Sequence, residues 1–298
     1  MSIYSILSII VILATIAMLF IRRYEATLVL ILGNLMVYFL TVLSAQGISL
    51  GRGLAPVVGD LGFRPVYLET GESLYTIITQ MFVHGGIEHI LFNMLFLFLI
   101  GTQLEARIGK RRFVVIYLLS GLLAVLVETV LRLGDTIVII GASGAISGIM
   151  GAMLFLYPRD EIPFFLGPIF LPRVKVWLSV GLWFLLQVFL VFSYSDGGVA
   201  YGAHVGGAVA GIVIAEVTAS MSPVALPRRF DPSALRPYAT TPELKRALEQ
   251  IEASEEEDVR RVWLEYFAER MECPDCGGRA SLRGNKLKCP CGFEVELR

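Results

Sequence analysis

The sequence predicts an all-α polytopic membrane bundle followed by a small water-soluble tail, and three observations carry that expectation. Seven apolar stretches fill the first three quarters of the chain, most of them near the roughly 20 residues that cross a hydrocarbon core of about 30 Å. Of the 298 residues, 55% are hydrophobic and 17% charged, with a mean hydropathy of +0.70, too apolar for a soluble chain of this length. The four cysteines begin only at Cys273, so no disulfide framework supports the apolar part. A net charge of −1 gives no sign of nucleic-acid binding, because the basic residues flank the apolar stretches instead of forming a stripe.

Residues 2–21 are the first span, closed by Arg22-Arg23. The basic pair follows the apolar run and no small-residue cleavage site comes after it, so the segment reads as retained, not as a signal peptide. Ala26–Ala45 is the second span. Residues 46–83 form a long connection with Pro56 and Pro65, a length that is usually functional or lies on the membrane interface. The third span runs from about Ile87 to Glu105 and the fourth from about Phe113 to Leu133. The fifth, Ser143 to Pro158, covers roughly 22 Å at 1.5 Å per residue, too short to cross the bilayer unaided. The sixth covers about Val174–Tyr194 and the seventh about Tyr201–Met221.

Lys and Arg in the short loops set the orientation. Arg22, Arg23, Arg107, Lys110, Arg111, Arg112, Arg159, Arg173, Lys175, Arg228 and Arg229 fall on one side, against Arg52, Arg64 and Arg132 on the other. The first side is therefore expected to be cytoplasmic, with Met1 outside and the C-terminal tail inside. Ser143 then starts a helix below the outer surface. The irregular backbone of 134–142 is tolerable at that depth only if it is buried in protein or faces a watery cavity.

After Met221 the composition changes. Pro223, Pro227, Pro232 and Pro237 predict a semi-rigid linker over 222–240. Thr241-Pro242-Glu243 reads as an N-cap, a proline at the first helical position and an acidic first turn. Ser254-Glu255-Glu256-Glu257 reads as a capping box for a second helix reaching about Arg270, with Val259, Val262, Trp263 and Phe267 on one face. Cys273-Pro-Asp-Cys276 and Cys289-Pro-Cys291 offer four thiolates in a module too small to fold without a staple. That donor set suits a structural tetrahedral zinc, with iron as the alternative metal. The expected organisation is an extra membrane helix over 1–25, a six-helix core over 26–221, the linker, cytosolic helices over 241–271 and a zinc-ribbon-like module over 272–298. A cytosolic protein partner would contact that module.

The chemistry centres on Gly141-Ala142-Ser143-Gly144-Ala145-Ile146-Ser147-Gly148, where one hydroxyl stands between residues of almost no bulk. Gly144, Gly148 and Ala152 recur every four residues, as do Ala203, Gly207 and Gly211, the spacing that lets membrane helices touch backbone to backbone. Two such stripes facing each other would bring His204 to Ser143. The chain has three histidines, His84, His89 and His204, each near the outer end of a span. His89 and Asn93 share one helix face. Ionisable groups in a membrane are costly, and their convergence at one depth with a serine points to nucleophilic catalysis. His204 is the candidate base for Ser143, and the Ser143 N–H at a helix start, with the His89 and Asn93 side chains, supplies donors for an oxyanion. Glu128, Asp135 and Asp196 are not obviously placed to orient His204, so a dyad is expected.

The set His84-Gly85-Gly86-Ile87-Glu88-His89-Ile90-Leu91-Phe92-Asn93, Gly141-Ala142-Ser143-Gly144 and Ala203-His204-Val205-Gly206-Gly207 resembles the rhomboid intramembrane serine proteases over about residues 26–221. The resemblance implies a six-helix rhomboid-like core, with Ser143 as nucleophile, His204 as general base, and His89 and Asn93 completing the oxyanion hole. It implies that His84 is structural, that Glu105 and Arg107 are the family's polar pair, that no cofactor is needed for catalysis, and that substrates are single-pass membrane proteins. Substrate entry would be lateral, past the sixth span, with Trp183 and Phe184 as gate residues. Three features depart from the family pattern. Ser147 stands where an aromatic usually stacks on the histidine, Phe63-Arg64 replaces the usual Trp-Arg pair of the long loop, and an extra span precedes the core. Two other readings compete: a catalytically silent rhomboid-like protein that binds membrane clients, and a metalloenzyme built on the three histidines. The latter has poor ligand spacing across Gly85-Gly86 and no HExxH.

Overall fold

The computed structural model describes residues 1–21, 23–45, 54–166, 169–193, 199–221, 232–254, 257–283 and 286–297. Contacts divide the chain into two units, Met1–Ser222 and Pro223–Arg298.

The first unit is a bundle of seven apolar helices: α1 (Ile3–Leu19), α2 (Ala26–Ala45), α3 (Ile87–Ile108), α4 (Lys110–Leu131), α5 (Ser143–Leu156), α6 (Val176–Ser193) and α7 (Tyr201–Met221). Five of these are long and apolar enough to cross a membrane, and α1 and α5 are the shorter apolar helices. The chain is a multi-pass membrane protein. At 17 residues, α1 extends about 26 Å, just short of the hydrocarbon thickness.

α1 is held at both ends by polar contacts. Ser2 N–H and Ser5 Oγ donate to Asp60 Oδ2 at 3.0 and 2.7 Å. Burial alone would raise the Asp60 carboxyl, but these bonds outweigh it and hold the group below its ordinary value. At the other end the Lys110 ammonium donates to the carbonyls of Ile21 and Tyr24 at 2.6 and 2.7 Å, a cation where a helix C-terminus favours one. The Glu105 carboxylate accepts from Ala26 N–H, Thr27 N–H and Thr27 Oγ1 at 2.7, 2.8 and 2.8 Å, capping the start of α2 from α3. A π turn at Leu97–Gly101 re-phases α3 between its catalytic-candidate end and Glu105. Arg107 pairs with Asp160 at 2.9 Å.

The connection after α2 is not a bare loop, since it contains the short helices Pro56–Leu61, Tyr67–Thr70 and Thr76–Thr79. The all-α expectation also misses a β-hairpin between α5 and α6, β1 (Glu161–Leu166) and β2 (Ile169–Lys175), antiparallel with Glu161 opposite Lys175 and an irregularity between Ile162 and Phe164. Pro163 and Pro172 interrupt its alternation, which hides it in the sequence.

In the second unit Thr241 Oγ1 accepts from Leu244 N–H at 3.2 Å, capping α8 (Pro242–Ala253) as expected. Ser254 closes that helix through its N–H to Gln250 O, and residues 255 and 256 of the expected capping box lie outside the described residues. α9 (Glu257–Arg270) buries Leu264, Phe267 and Ala268, while Val262 is 65% exposed. Phe267 and the partly buried Trp263 lie inward as expected, Val262 does not, and the Val259 side chain lies outside the described residues; α9 packs against α8 and the strands through the stripe that continues to Met271. Pro232–Tyr238, expected as linker, is a 3₁₀ helix with Leu235 fully buried. Strands β3 (Ser281–Arg283), β4 (Lys286–Lys288) and β5 (Glu294–Glu296) form an antiparallel sheet in that order, burying Leu287 and Val295.

Candidate active site

The small residues of α5 and α7 face each other. A Cβ on Gly207 would strike the Gly144 carbonyl, one on Gly211 the Gly148 carbonyl, and one on Gly151 the Ala208 backbone. The helices therefore meet backbone to backbone, as the stripe spacing predicts. On the other side of α5, Ala124 of α4 sits 2.6 Å from where a Gly144 Cβ would be.

This contact sets Ser143, the first residue of α5, opposite His204 in the first turn of α7. Ser143 Oγ lies 2.9 Å from His204 Nε2. Glu128 does not orient the ring. Its Oε2 accepts from Ala203 N–H at 2.9 Å and its Oε1 from Arg132 Nε at 2.7 Å, so the carboxylate caps the start of α7 and fixes the turn that carries His204. The other ring nitrogen of His204, Nδ1, is 2.8 Å from Gln187 Oε1 of α6. Sequence reasoning missed Gln187, one amide in an apolar run with no periodic signal to single it out. Asp135 lies 3.9 Å from Arg132, and Asp196 falls outside the described residues.

Ser147 turns its hydroxyl back to the Ser143 carbonyl at 2.7 Å. Among the described residues, the aromatic rings beside His204 come from elsewhere: Trp183 of α6 at 6.1 Å and Tyr201 of α7 at 6.3 Å between centroids.

Several backbone groups of the irregular segment before Ser143 are matched. Phe63 and Ile139 exchange two N–H···O bonds, Gly141 N–H donates to Gln80 O at 2.8 Å, and Arg64 reaches the Thr136 carbonyl. Ala142 N–H donates to His84 Nε2 at 3.4 Å. His84 is fully buried; that burial, with the neighbouring His89 adding to it, pushes its imidazole down to about 3, so it stays a neutral acceptor at neutral pH. Gly141 has φ +117°, a region that favours glycine, and a Cβ there would sit 2.6 Å from His89 Nε2. His89 stands edge-on to His84 with centroids 4.9 Å apart.

Asn93 follows His89 by one turn and donates through Nδ2 to the His89 carbonyl at 2.7 Å. His89, Asn93, Ser143 and His204 line one cavity of about 500 Å³, with Trp183 and Met150 among its apolar walls. Phe184, the other expected gate residue, is not among its lining residues. The three histidines do not converge on a metal position, since His84 accepts from a backbone N–H while both nitrogens of His204 face Ser143 and Gln187.

Among the described residues, the group that could hold a metal ion is Cys273, Cys276, Cys289 and Cys291, whose Sγ atoms all lie within 4.8 Å of one another. Cys273 and Cys291 are 3.6 Å apart and Cys276 and Cys289 3.5 Å apart, close to the roughly 3.8 Å edge of a tetrahedron with metal–sulfur bonds of about 2.3 Å. Gly278 N–H donates to Cys276 Sγ, the type of bond that steadies a ligating thiolate.

A family model described as the rhomboid domain matches residues 71–220. The chain is 30% identical to rhomboid protease GlpG of Salmonella paratyphi A over 142 residues, 47% of this chain and 46% of that protein. It is 28% identical to rhomboid protease GluP of Bacillus subtilis over 141 residues, 47% of this chain and 25% of that protein. It is also 39% identical to RHOMBOID-like protein 5 of Arabidopsis thaliana over 87 residues, 29% of this chain and 28% of that one. In each case the match spans less than half of the relative's length.

Proposed function

The chain belongs to the rhomboid family, and on that premise we propose that it is an intramembrane serine endopeptidase with Ser143 as nucleophile and His204 as general base. The observation that carries this reading is the 2.9 Å approach of Ser143 Oγ to His204 Nε2, at the wall of a cavity inside the helix bundle. Ser143 Oγ attacks the scissile carbonyl carbon while Nε2 takes its proton. As the first residue of α5, Ser143 has a backbone N–H with no intrahelical acceptor. That N–H, with the His89 and Asn93 side chains, stabilises the developing oxyanion. The intermediate collapses to an acyl-enzyme, and the imidazolium returns its proton to the leaving amine. A water activated by the same base then releases the acid. His84, Gly141, Gly144 and Gly207 serve this site structurally, by holding the entry to α5 and the α5–α7 contact.

The substrates are single-pass membrane proteins cut near small side chains and entering laterally past α6, where Trp183 borders the cavity. The N-terminus lies outside and the tail in the cytoplasm, following the bias of Lys and Arg between the two sides. The four cysteines hold a structural zinc, and the resulting module is a surface for a cytosolic protein partner.

Purified protein incubated with a model single-pass substrate tests the reading. Cleavage is expected in the wild type, absent in Ser143→Ala and His204→Ala, and indifferent to a chelator. Absence of cleavage of any of a panel of transmembrane substrates would favour the silent client-binding protein instead.

A further inference from the structure

In the outer half of α6, from Gly181 to Ser193, Gln187 is the one buried side chain among the described residues. Leu182, Leu185, Leu186, Phe189 and Phe192 of the same stretch are all more than half exposed, while Gln187 is 7% exposed. A primary amide on an otherwise lipid-facing half-helix is costly unless its polar atoms are matched. Its oxygen is matched by Nδ1 of His204 at 2.8 Å, on the ring whose Nε2 faces Ser143 Oγ at 2.9 Å.

The two contacts constrain each other. For Nε2 to receive the serine proton its lone pair must be free, so the ring hydrogen must sit on Nδ1. The group facing that hydrogen is a carbonyl oxygen, which can only accept. Glu128, the carboxylate bonded to this turn, is committed to Ala203 N–H and Arg132.

We propose that Gln187 is the positioning residue for His204, accepting the Nδ1 hydrogen and holding the tautomer and ring angle that aim Nε2 at Ser143. The inference rests on the Ser143–His204 reading above. An uncharged amide supplies orientation without a compensating charge, which distinguishes the arrangement from a carboxylate triad. Its place on α6 has a consequence. Trp183, one turn earlier on the same face, sets its ring 6.1 Å from His204, so one helix supplies both groups that steady the imidazole from that side. α6 is also the least buried of the five long helices, at 22% against 39–50% for the others.

The test uses the full chain in detergent micelles and a fluorophosphonate probe, which labels activated serines without any knowledge of the substrate. Wild type should label and Ser143→Ala should not. Gln187→Leu should label about 10- to 100-fold more slowly at pH 7 with an unchanged melting temperature. Gln187→Glu should keep its rate within about threefold but shift the pH midpoint of labelling upward by about one unit, because a carboxylate attracts the imidazolium. The shift reports that the side chain at 187 meets the ring, and the slower labelling of Gln187→Leu at unchanged melting temperature separates positioning from a merely structural role. Wild-type rate and midpoint in Gln187→Leu overturn the proposal and leave the Ser143–His204 reading standing. Should Gln187→Leu fail to fold, the midpoint of Gln187→Glu decides alone, and an unshifted value overturns the proposal. Undiminished labelling of Ser143→Ala overturns the dyad and this inference with it.

Discussion

Gly207 of α7 lies against the main-chain carbonyl of Gly144, with no space between them for a methyl group. That contact, repeated one turn on by Gly211 against the Gly148 carbonyl, sets the distance between the helices that carry His204 and Ser143. Gly207→Val should therefore push α7 away from α5, abolish fluorophosphonate labelling and destabilise the bundle by about 1–3 kcal/mol or more, as overpacking does. Labelling and thermal denaturation of the same preparation measure both effects.

Glu128 couples α4 to the first turn of α7 through Ala203 N–H and to Arg132. Glu128→Leu leaves a buried N–H and a guanidinium without that carboxylate, a loss of about 1–3 kcal/mol per charged hydrogen bond. The expected result is a lower melting temperature together with slower cleavage, since the turn carrying His204 loses its cap. Glu128→Gln, which keeps an acceptor for Ala203 N–H, should recover much of the stability.

At the opposite end of the bundle Glu105 accepts three hydrogen bonds from Ala26 and Thr27. Glu105→Ala strips the start of α2 of its cap and is expected to cost about 2–5 kcal/mol. The variant should lose melting temperature strongly, while any protein that remains folded still labels at Ser143.

His84 makes stability depend on pH. Its imidazole is held at about 3 in the fold against an ordinary value of 6.5, so between those values the unfolded chain binds the extra proton. Stability is thus complete above about pH 6.5 and falls as pH drops from there toward 3, by an amount on the order of a few kcal/mol. Melting temperature followed from pH 7 to pH 4 should decline, and His84→Gln should flatten the slope over that window.

The tail should carry one zinc per chain, measurable by elemental analysis and lost in a Cys273→Ser, Cys289→Ser double variant. Strong chelation should expose the segment from Cys273 onward to protease, because its three short strands add few apolar side chains to the core that Leu244, Leu248, Leu264 and Phe267 build on the helices. Cleavage of a membrane substrate should continue unchanged.

The seven apolar segments, the stripes of small residues, the three histidines and the four cysteines were legible in the chain, because each is a composition or a spacing. The stripes even predicted the right pairing, since a run of glycines at every fourth position serves close approach and little else. Other features were not legible. The hairpin after α5 hid behind Pro163 and Pro172. On the expected face of α9, Phe267 and Trp263 do pack on the core, but Val262 points away and Leu264 is buried in its place. Ser147 left the question of what steadies His204 open, and the answer, Trp183 and Gln187, lies on a different helix.

The sequence by itself determined that the chain crosses a membrane, which residues are the candidates for its chemistry, and that its tail holds four cysteines at metal-ligand spacing. These follow from local hydropathy, side-chain chemistry and spacing along one helix. Only the tertiary structure decided which face of α6 meets α7, which carboxylate caps which helix, and which nitrogen of His204 meets an amide. Those are contacts between segments far apart in the chain, set by how bulky and small surfaces interlock, and no single segment contains both halves of such a fit.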